Sequence, residues 1–544
     1  MSFLFVRHLR QKASHFTFNN ILYNWSLSGT LPESLIFSPP DTWPGNAEQG
    51  KFLCSGAFCA AGENLQMRGK CWAPEGVDAL WLEHMNSFDW LRDLRSLSGD
   101  EARRQARNMI ESWVKRYPRW DATAWRPDIT GRRVANWIAL YDFYGASIDD
   151  DFEDQFLDSL MRQCRHLARA LPGDVSGLGL MYGIRGLAYA GLAFSGREAW
   201  LEQALDMLQV ETDKQILPDG GHVSRSPQQL LEVLRIFIDI RASLIAAGYP
   251  APEQITHSID RMGQAVRFFR YADKGFAIFN GTQEGNDYLI DTVLFKANAG
   301  GRVLRNLPHT GYERVTMGRS LLMVDTGTAP KWPHDEAAHG APLSFEFVYG
   351  KERVFVNCGT HPLDSSWHDA LRSTPAHNSL TIDNRSACEA RDDGHFGRKP
   401  RAVTVEREDS RDAVLLEGTH DGYVPLNGII HRRRLYMGDQ GHDLRGEEQL
   451  TCAVGLGKPV EIAVRFHIHP KVQVSLIQDD TEALLRLAGG AGWRFFHTNG
   501  TLALEDSIYL GEGGRPRKTK QLVIYGLMTE DNVQIKWKMQ REGR

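Results

Sequence analysis

The spacing of apolar residues changes once along this chain, near residue 275, and that change limits the fold more than any other feature. From about Trp81 to Tyr271 apolar residues recur at helical intervals, in blocks near 84–117, 128–146, 151–171, 178–195, 198–213, 227–247 and 253–272 separated by Pro, Gly and Asp. The best-marked start is Ser226-Pro227-Gln228-Gln229, where serine suits the cap and proline the first helical position. The run that follows, Leu230, Leu231, Leu234, Phe237 and Ile238, is apolar around much of the helix and predicts burial on more than one side. After Phe276 short alternating runs take over. Ser344–Val348 and Arg353–Val356 read as a hairpin, followed by strands from about 378 to 539. Roughly a dozen strands without interleaved helices predict stacked antiparallel sheets.

These periodicities predict an α+β multidomain chain: an N-terminal helical domain whose consecutive antiparallel helices can close into a complete or incomplete (α/α) toroid, followed by a C-terminal antiparallel β-sandwich. The expected divisions are an entry segment over 1–80 packed on the helical domain, that domain over 81–275, and the β part over 276–544. No low-complexity linker separates the two halves, so the junction is expected to be packed, with a ligand groove between them.

Composition excludes several classes. Lys+Arg 63 against Asp+Glu 68 gives a net charge of −5, too balanced for a nucleic-acid coat. The greasy segment Leu230–Ile245 is interrupted by Glu232, Arg235, Asp239 and Arg241, so no integral membrane segment is expected. Seven scattered cysteines, Cys54, Cys59, Cys71, Cys164, Cys358, Cys388 and Cys452, show no C-x-x-C spacing and predict neither a disulfide framework nor a zinc ribbon. The first ten residues lack the basic-then-apolar order of a secretory signal. The Gly-rich pieces at 298–301 and 487–490 lack a following Lys-Ser/Thr and read as turns. No organic cofactor is indicated, and oligomeric state is not readable.

The densest polar constellation runs from Lys331 to Glu346 and continues at Val356–Thr360 and Arg372–Leu380. If its strands are neighbours, His339 and His377 converge, with Asn357 as a third polar group. Two imidazoles and an oxygen donor can hold zinc, while strand-end histidines also simply hydrogen-bond loop carbonyls. In the helical half, Arg133, Asn136 and Trp137 share one helix face, an arrangement suited to sugar stacking with carboxylate pairing or to helix packing alone. Tyr423, after His420, reads as an exposed turn tyrosine or a sheet-edge cover, and His467 with His469 as a same-face pair of structural kind.

The order His-Gly-x-x-Leu-Ser-Phe-Glu (His339–Glu346), Val-Asn-Cys-Gly-Thr (Val356–Thr360) and Arg-Ser-Thr-x-Ala-His-Asn-Ser-Leu (Arg372–Leu380) resembles the C-terminal domain of heparinase II/III-like polysaccharide lyases. Asp219–Pro227 resembles that family's Asp-Gly to Ser-Pro segment, and Trp43–Asn46 with Gly56–Phe58 its N-terminal entry. The resemblance implies β-elimination on a uronate-containing, anionic polysaccharide, a structural zinc, and a place in the cell envelope or periplasm; with no clear signal peptide, a cytoplasmic location stays open. Elimination needs a group that neutralises the uronate carboxylate, a base for the C5 proton and an acid for the leaving O4.

Transferred residue by residue, both zinc-type histidines fall on His339 and His377. The zinc aspartate falls on Asn357, the family's first histidine on Ala337, its tyrosine on Gln229, and its Asn-His pair within Asp174–Leu180, which contains neither residue. Catalysis would then rest on His222, Arg225, His339 and Arg372, with Arg133, Asn136, Trp137, Gln229 and Tyr423 contacting substrate. Two alternatives stay open: a noncatalytic glycan-binding or envelope-assembly protein on the same fold, and a glycoside hydrolase using carboxylates such as Asp219 and Glu346.

Overall fold

A computed structural model describes residues 16–61, 63–66, 72–145, 150–391 and 393–543. The readings made on the first ten residues and on Cys71 lie outside them. The described part of the entry segment contains two short helices, Ile21–Ser26 and Ala47–Cys54, and a small hairpin, Ala57–Ala60 with Glu63–Gln66. It is held to the helices by Trp43, whose indole N–H donates to Asp239 at 2.6 Å.

The main helices are α1 (Ala79–Ser87), α2 (Leu91–Leu97), α3 (Gly99–Arg116), α4 (Pro127–Ala139), α5 (Asp150–Ala170), α6 (Gly177–Ala193), α7 (Glu198–Gln215), α8 (Pro227–Ala246), α9 (Glu253–Phe268) and α10 (Asp287–Lys296). Ser226 caps α8 as its sequence predicts, accepting from the Gln229 N–H at 3.3 Å. Glycine sets the closest helix contact: a Cβ on Gly131 of α4 would lie 2.5 Å from the Tyr182 carbonyl of α6, and one on Gly186 would lie 2.5 Å from the Cα of Gly131. Helix α10 lies beyond the sequence-predicted boundary at 275. Asn286 caps it, and Ile290, Val293 and Leu294 bury its inner face among helical-core residues.

The β part begins with a five-stranded sheet: Asn306–Leu307, β1 (Tyr312–Met317), β2 (Ser320–Asp325), β3 (Phe345–Tyr349) and β4 (Glu352–Phe355), in chain order. Apart from a small hairpin, Glu389–Ala390 with Phe396–Arg398, the remaining strands are β5 (Leu380–Ile382), β6 (Val403–Asp409), β7 (Ala413–Tyr423), β8 (Ile429–Gly438), β9 (Asp443–Cys452), β10 (Val460–His467), β11 (Gln473–Ile477), β12 (Glu482–Arg486), β13 (Gly492–Thr498), β14 (Thr501–Tyr509), β15 (Arg517–Met528) and β16 (Asn532–Arg541). They form an eight-stranded sheet, ordered β6-β7-β8-β9-β16-β13-β12-β11, and a four-stranded sheet, β14-β15-β10-β5. Neighbouring strands in these sheets run antiparallel, and Phe345, Phe355, Phe466, Phe495 and Trp537 pack together inside the β part. Gly446 leaves room for the Trp537 indole, since a Cβ there would sit 2.0 Å from it. Helices and first sheet share one core: Phe237, Phe269 and Phe276 pack in the same buried cluster as Tyr312, Met323 and Val348. The junction is therefore packed, and no helix among the described residues is long and apolar enough to cross a membrane.

Candidate functional site

The motif Asp219–Pro227 lies at this junction, and its polar residues face the β part. Asp219 accepts from the N–H groups of Gly221, His309 and Thr310 and from the Thr310 hydroxyl at 2.7–3.1 Å. Arg225, in a left-handed conformation at φ 59°, donates from Nε to Thr310 O, from Nη1 to Gly327 O and Thr328 O, and from Nη2 to Gly311 O and the Asp325 carboxylate. A guanidinium has five N–H groups, so this one has none left for a substrate. His222 is likewise enclosed: its ring nitrogens meet Ser224 Oγ at 2.7 Å and Gln215 Oε1 at 3.0 Å, and burial pushes its pKa down to about 3. The family motif in this chain is thus a lock between two bodies.

Beside it, Asn280 and Gly281 meet the first sheet. The rings of His339 and His377 do converge, with centroids 4.3 Å apart and both residues buried. Desolvation holds His339 well below its ordinary pKa and brings His377 to about 3. Whether the family's zinc fits can be judged from the donors. The ring nitrogens of His339 both lie against main-chain N–H groups, Asn280 at 3.1 Å and Gly281 at 2.9 Å, and since a neutral imidazole has a single acceptor nitrogen, that one is already engaged whichever tautomer is present. The Asn357 carboxamide donates to Ile278 O at 3.0 Å, accepts from the Asn378 N–H at 3.4 Å, and carries no charge to offset a dication. His377, with both ring nitrogens unpaired, is the one open donor of the three. The trio does not fit zinc. A different histidine–carboxylate group has ligand spacing among the described residues: Glu284, His469 and Glu512 offer atoms within 4.8 Å of one another. Arg353 at 3.8 Å from Glu284, with Arg517 and Lys471 at 2.5 and 3.4 Å from Glu512, already balances those carboxylates.

The remaining sequence-derived residues fall into closed positions. Arg133, Asn136 and Trp137 are fully buried. Arg133 donates to Gln163 Oε1 and Asn86 O at 2.6 and 2.9 Å and stacks over Trp113, while Asn136 donates to Asp89 at 2.7 Å. Trp137 packs edge-on against Phe88 and Trp113. The three side chains lie in the core, the helix-packing alternative, rather than at a sugar-facing surface. Arg372 donates to the carbonyls of Ala338, Gly394 and Asp335 at 2.5–2.8 Å, tying three loops together. Tyr423, expected at the surface, is completely buried, its hydroxyl on Leu380 O at 2.6 Å. Gln229 is half-buried at the start of α8. Of the hydrolase candidates, Asp219 is saturated and Glu346 is buried, accepting from Tyr271, Ile278 and Asn357 at 2.8–3.0 Å.

Sequence reasoning missed a charge network among the helices. Asp41 pairs with Arg92 and Arg95, Asp89 with Arg132, Asp239 with Arg185, Glu232 with Arg235, and Arg126 with Glu83 and Asp128. That is six arginines against six carboxylates, so an anionic ligand entering among them would have to displace a protein carboxylate. It also missed the Asp335–His395 pair at 2.6 Å, because the partners lie 60 residues apart. Lys331–Glu346 had been singled out, yet nothing in the sequence links Asp335 to a histidine in a later hairpin.

Successive helices leading into stacked antiparallel sheets, with polar motifs from both halves bonded at their junction, define a polysaccharide-lyase-like fold. Family models for the heparinase II/III N-terminus and for the heparinase II/III-like C-terminal region match residues 82–296 and 299–538. FtsZ-localized protein C of Caulobacter vibrioides is 30% identical over 527 residues, covering 93% of this chain and 90% of that protein. A crystal structure of heparinase III matches with a TM-score of 0.77 at 14% identity, covering 98% of this chain and 91% of that one. Heparan sulfate lyase HepC from Pedobacter heparinus matches at 0.59 and 14%, covering 99% and 88%. The chain belongs to the heparinase II/III-like family.

Proposed function

We propose that this protein binds an acidic, uronate-containing polysaccharide at the rim of the junction between helices and sheets, without the elimination chemistry of a lyase. The observation that carries this reading is the saturation of Arg225, whose five donors all end on protein acceptors. Arg372 and Arg133 are also bonded within the protein, so the candidate carboxylate neutralisers are engaged in holding the fold. The acidic glycan follows from family membership. The Caulobacter relative is named for localisation with FtsZ and not for a cleavage activity, which fits a reading without elimination chemistry. Zinc has no part in it.

The lyase reading keeps one specific support. His395 is oriented by a buried carboxylate, the arrangement a general base requires. Native electrophoresis through gels containing alginate, pectin or heparan sulfate tests the binding claim. Retardation by at least one of them, and none in a neutral glucan gel, is expected; equal migration in every gel would sink it.

A further inference from the structure

A pocket of about 520 Å³ lies where the segment after α10 meets β1 and the turn between β6 and β7. Its lining carries five arginines, Arg302, Arg305, Arg314, Arg407 and Arg411, against two carboxylates, Asp409 and Asp412, and includes none of the residues bonded around Arg225. One arginine is spent within the protein: Arg407 Nε faces Asp409 at 3.1 Å, and its Nη1 donates to Glu313 Oε2 at 2.8 Å and to the carbonyls of Arg305 and Arg314 at 3.3 and 3.2 Å, tying β6 to β1. The other four keep free donors. Arg302 and Arg411 are exposed and make no side-chain hydrogen bond or ion pair among the described residues. The Arg305 guanidinium meets only the Asp409 carboxylate, at 3.5 Å. Arg314 is held in place: Nη1 donates to Phe268 O and Arg270 O at 2.5 and 3.1 Å at the end of α9, while Nε and Nη2 have no partner among the described residues. Burial with no carboxylate at ion-pair distance lowers its pKa to about 10. An anion brought against Nε and Nη2 supplies the counter-charge that the protein does not.

The number of free guanidinium groups selects the anion. A carboxylate presents two oxygens and one charge, enough for a single guanidinium fork, whereas a phosphate group presents three oxygens and close to two charges and bridges two forks or more. The volume is that of a small-molecule site rather than of a single ion. Leu304, 37% exposed, and the half-buried Met317 add apolar surface beside the arginines, and Asp412, exposed and unpaired among the described residues, is an acceptor for hydroxyl groups. No aromatic side chain lines the pocket among the described residues, so it has no ring on which to stack a nucleobase.

We propose that Arg302, Arg305, Arg314 and Arg411 bind the phosphate groups of a small, multiply phosphorylated ligand, either an inorganic oligophosphate or a sugar bisphosphate. The pocket stands apart from the junction, so its failure leaves the glycan reading untouched. The test is calorimetric titration of the full chain, at physiological ionic strength, with tripolyphosphate, fructose 1,6-bisphosphate and inorganic monophosphate. One-to-one binding of tripolyphosphate or of the sugar bisphosphate, at least tenfold tighter than monophosphate, is expected. The double variant Arg302→Gln, Arg411→Gln removes side chains that touch nothing else and should weaken that binding at least tenfold with an unchanged melting temperature; Arg314→Gln should do the same where it remains folded. Tighter binding of tripolyphosphate assigns the inorganic source, and tighter binding of fructose 1,6-bisphosphate, weakened in Asp412→Ala, assigns the sugar-borne one. Arg486→Gln, exposed on β12 near the far edge of the same eight-stranded sheet, should bind as the wild type does. No heat with tripolyphosphate or the sugar bisphosphate, full affinity in the double variant, or an equal loss in Arg486→Gln would each overturn the site.

Discussion

Arg433 on β8 and Glu448 on β9 pair inside the sandwich at 2.9 Å, each 1% exposed. His431 donates to the same carboxylate at 2.6 Å, Trp537 adds its indole N–H at 3.1 Å, and Arg433 reaches the carbonyls of Leu343 and Asn378. The Gly422 N–H faces His420 Nδ1, so His420 donates from Nε2 to His431 Nδ1, and the proton order of the chain is fixed. Titration of such groups sets the acid stability of the fold. Burial holds His222 and His377 near pKa 3 and His166 and His467 near 4, against an ordinary 6.5. The unfolded chain therefore binds more protons than the folded one below about pH 6.5, and each such histidine removes up to about 1.4 kcal/mol of stability per pH unit until its folded pKa is reached. Glu448, lowered to about 2 chiefly by Arg433 against the cost of its burial, adds a loss only below its ordinary value of 4.5. Thermal melts should show the melting temperature falling already between pH 7 and 5; a flat profile there would mean the imidazoles are charged in the folded state. At this scale the sequence was informative about identity and poor about environment. The convergence of His339 and His377 was readable from strand order, whereas the spending of Arg225 was not, since four of its five acceptors are main-chain carbonyls that any residue supplies.

Helices α4 and α6 approach so closely because Gly131, Gly183 and Gly186 present bare backbone to one another. Replacing Gly186 by valine forces side-chain atoms into the main chain of Gly131, where no rotamer relieves the clash. A destabilisation of about 1–3 kcal/mol or more is expected by chemical denaturation. An unchanged denaturation midpoint in Gly186→Val would show that the helices can part at no cost. Elements were legible where periodicity was strong. The hairpin at 344–356 and the start of α8 follow the sequence pattern, because alternation and the Ser-Pro cap are local signals. Helix α10 and strands β1, β2 and β12 escaped it. The ten residues of α10 were read with the strands around them, and all six residues of β2 are buried, so its pattern does not alternate.

At the scale of the whole molecule, the contacts that build the junction engage His222 and Arg225, two of the residues on which catalysis was expected to rest. Arg225 and Asp219 from the helical half and Thr310, Asp325 and Gly327 from the β half satisfy one another across the junction. Near-neutral overall charge is matched by the balanced network of arginines and carboxylates among the helices, so the proposed binding of an anionic polymer is placed at the rim, where Lys331 and Trp332 are exposed. The fold was legible because its two periodicities meet only once. The altered positions, Ala337, Gln229 and Asn357, were legible too, but their meaning needed the geometry of the groups around them. The most direct test of the central claim is the ultraviolet absorbance of 4,5-unsaturated uronate during incubation with the polysaccharides that retard the protein. The account predicts no rise in absorbance alongside demonstrable binding; a rise that scales with protein concentration would contradict it and restore the lyase.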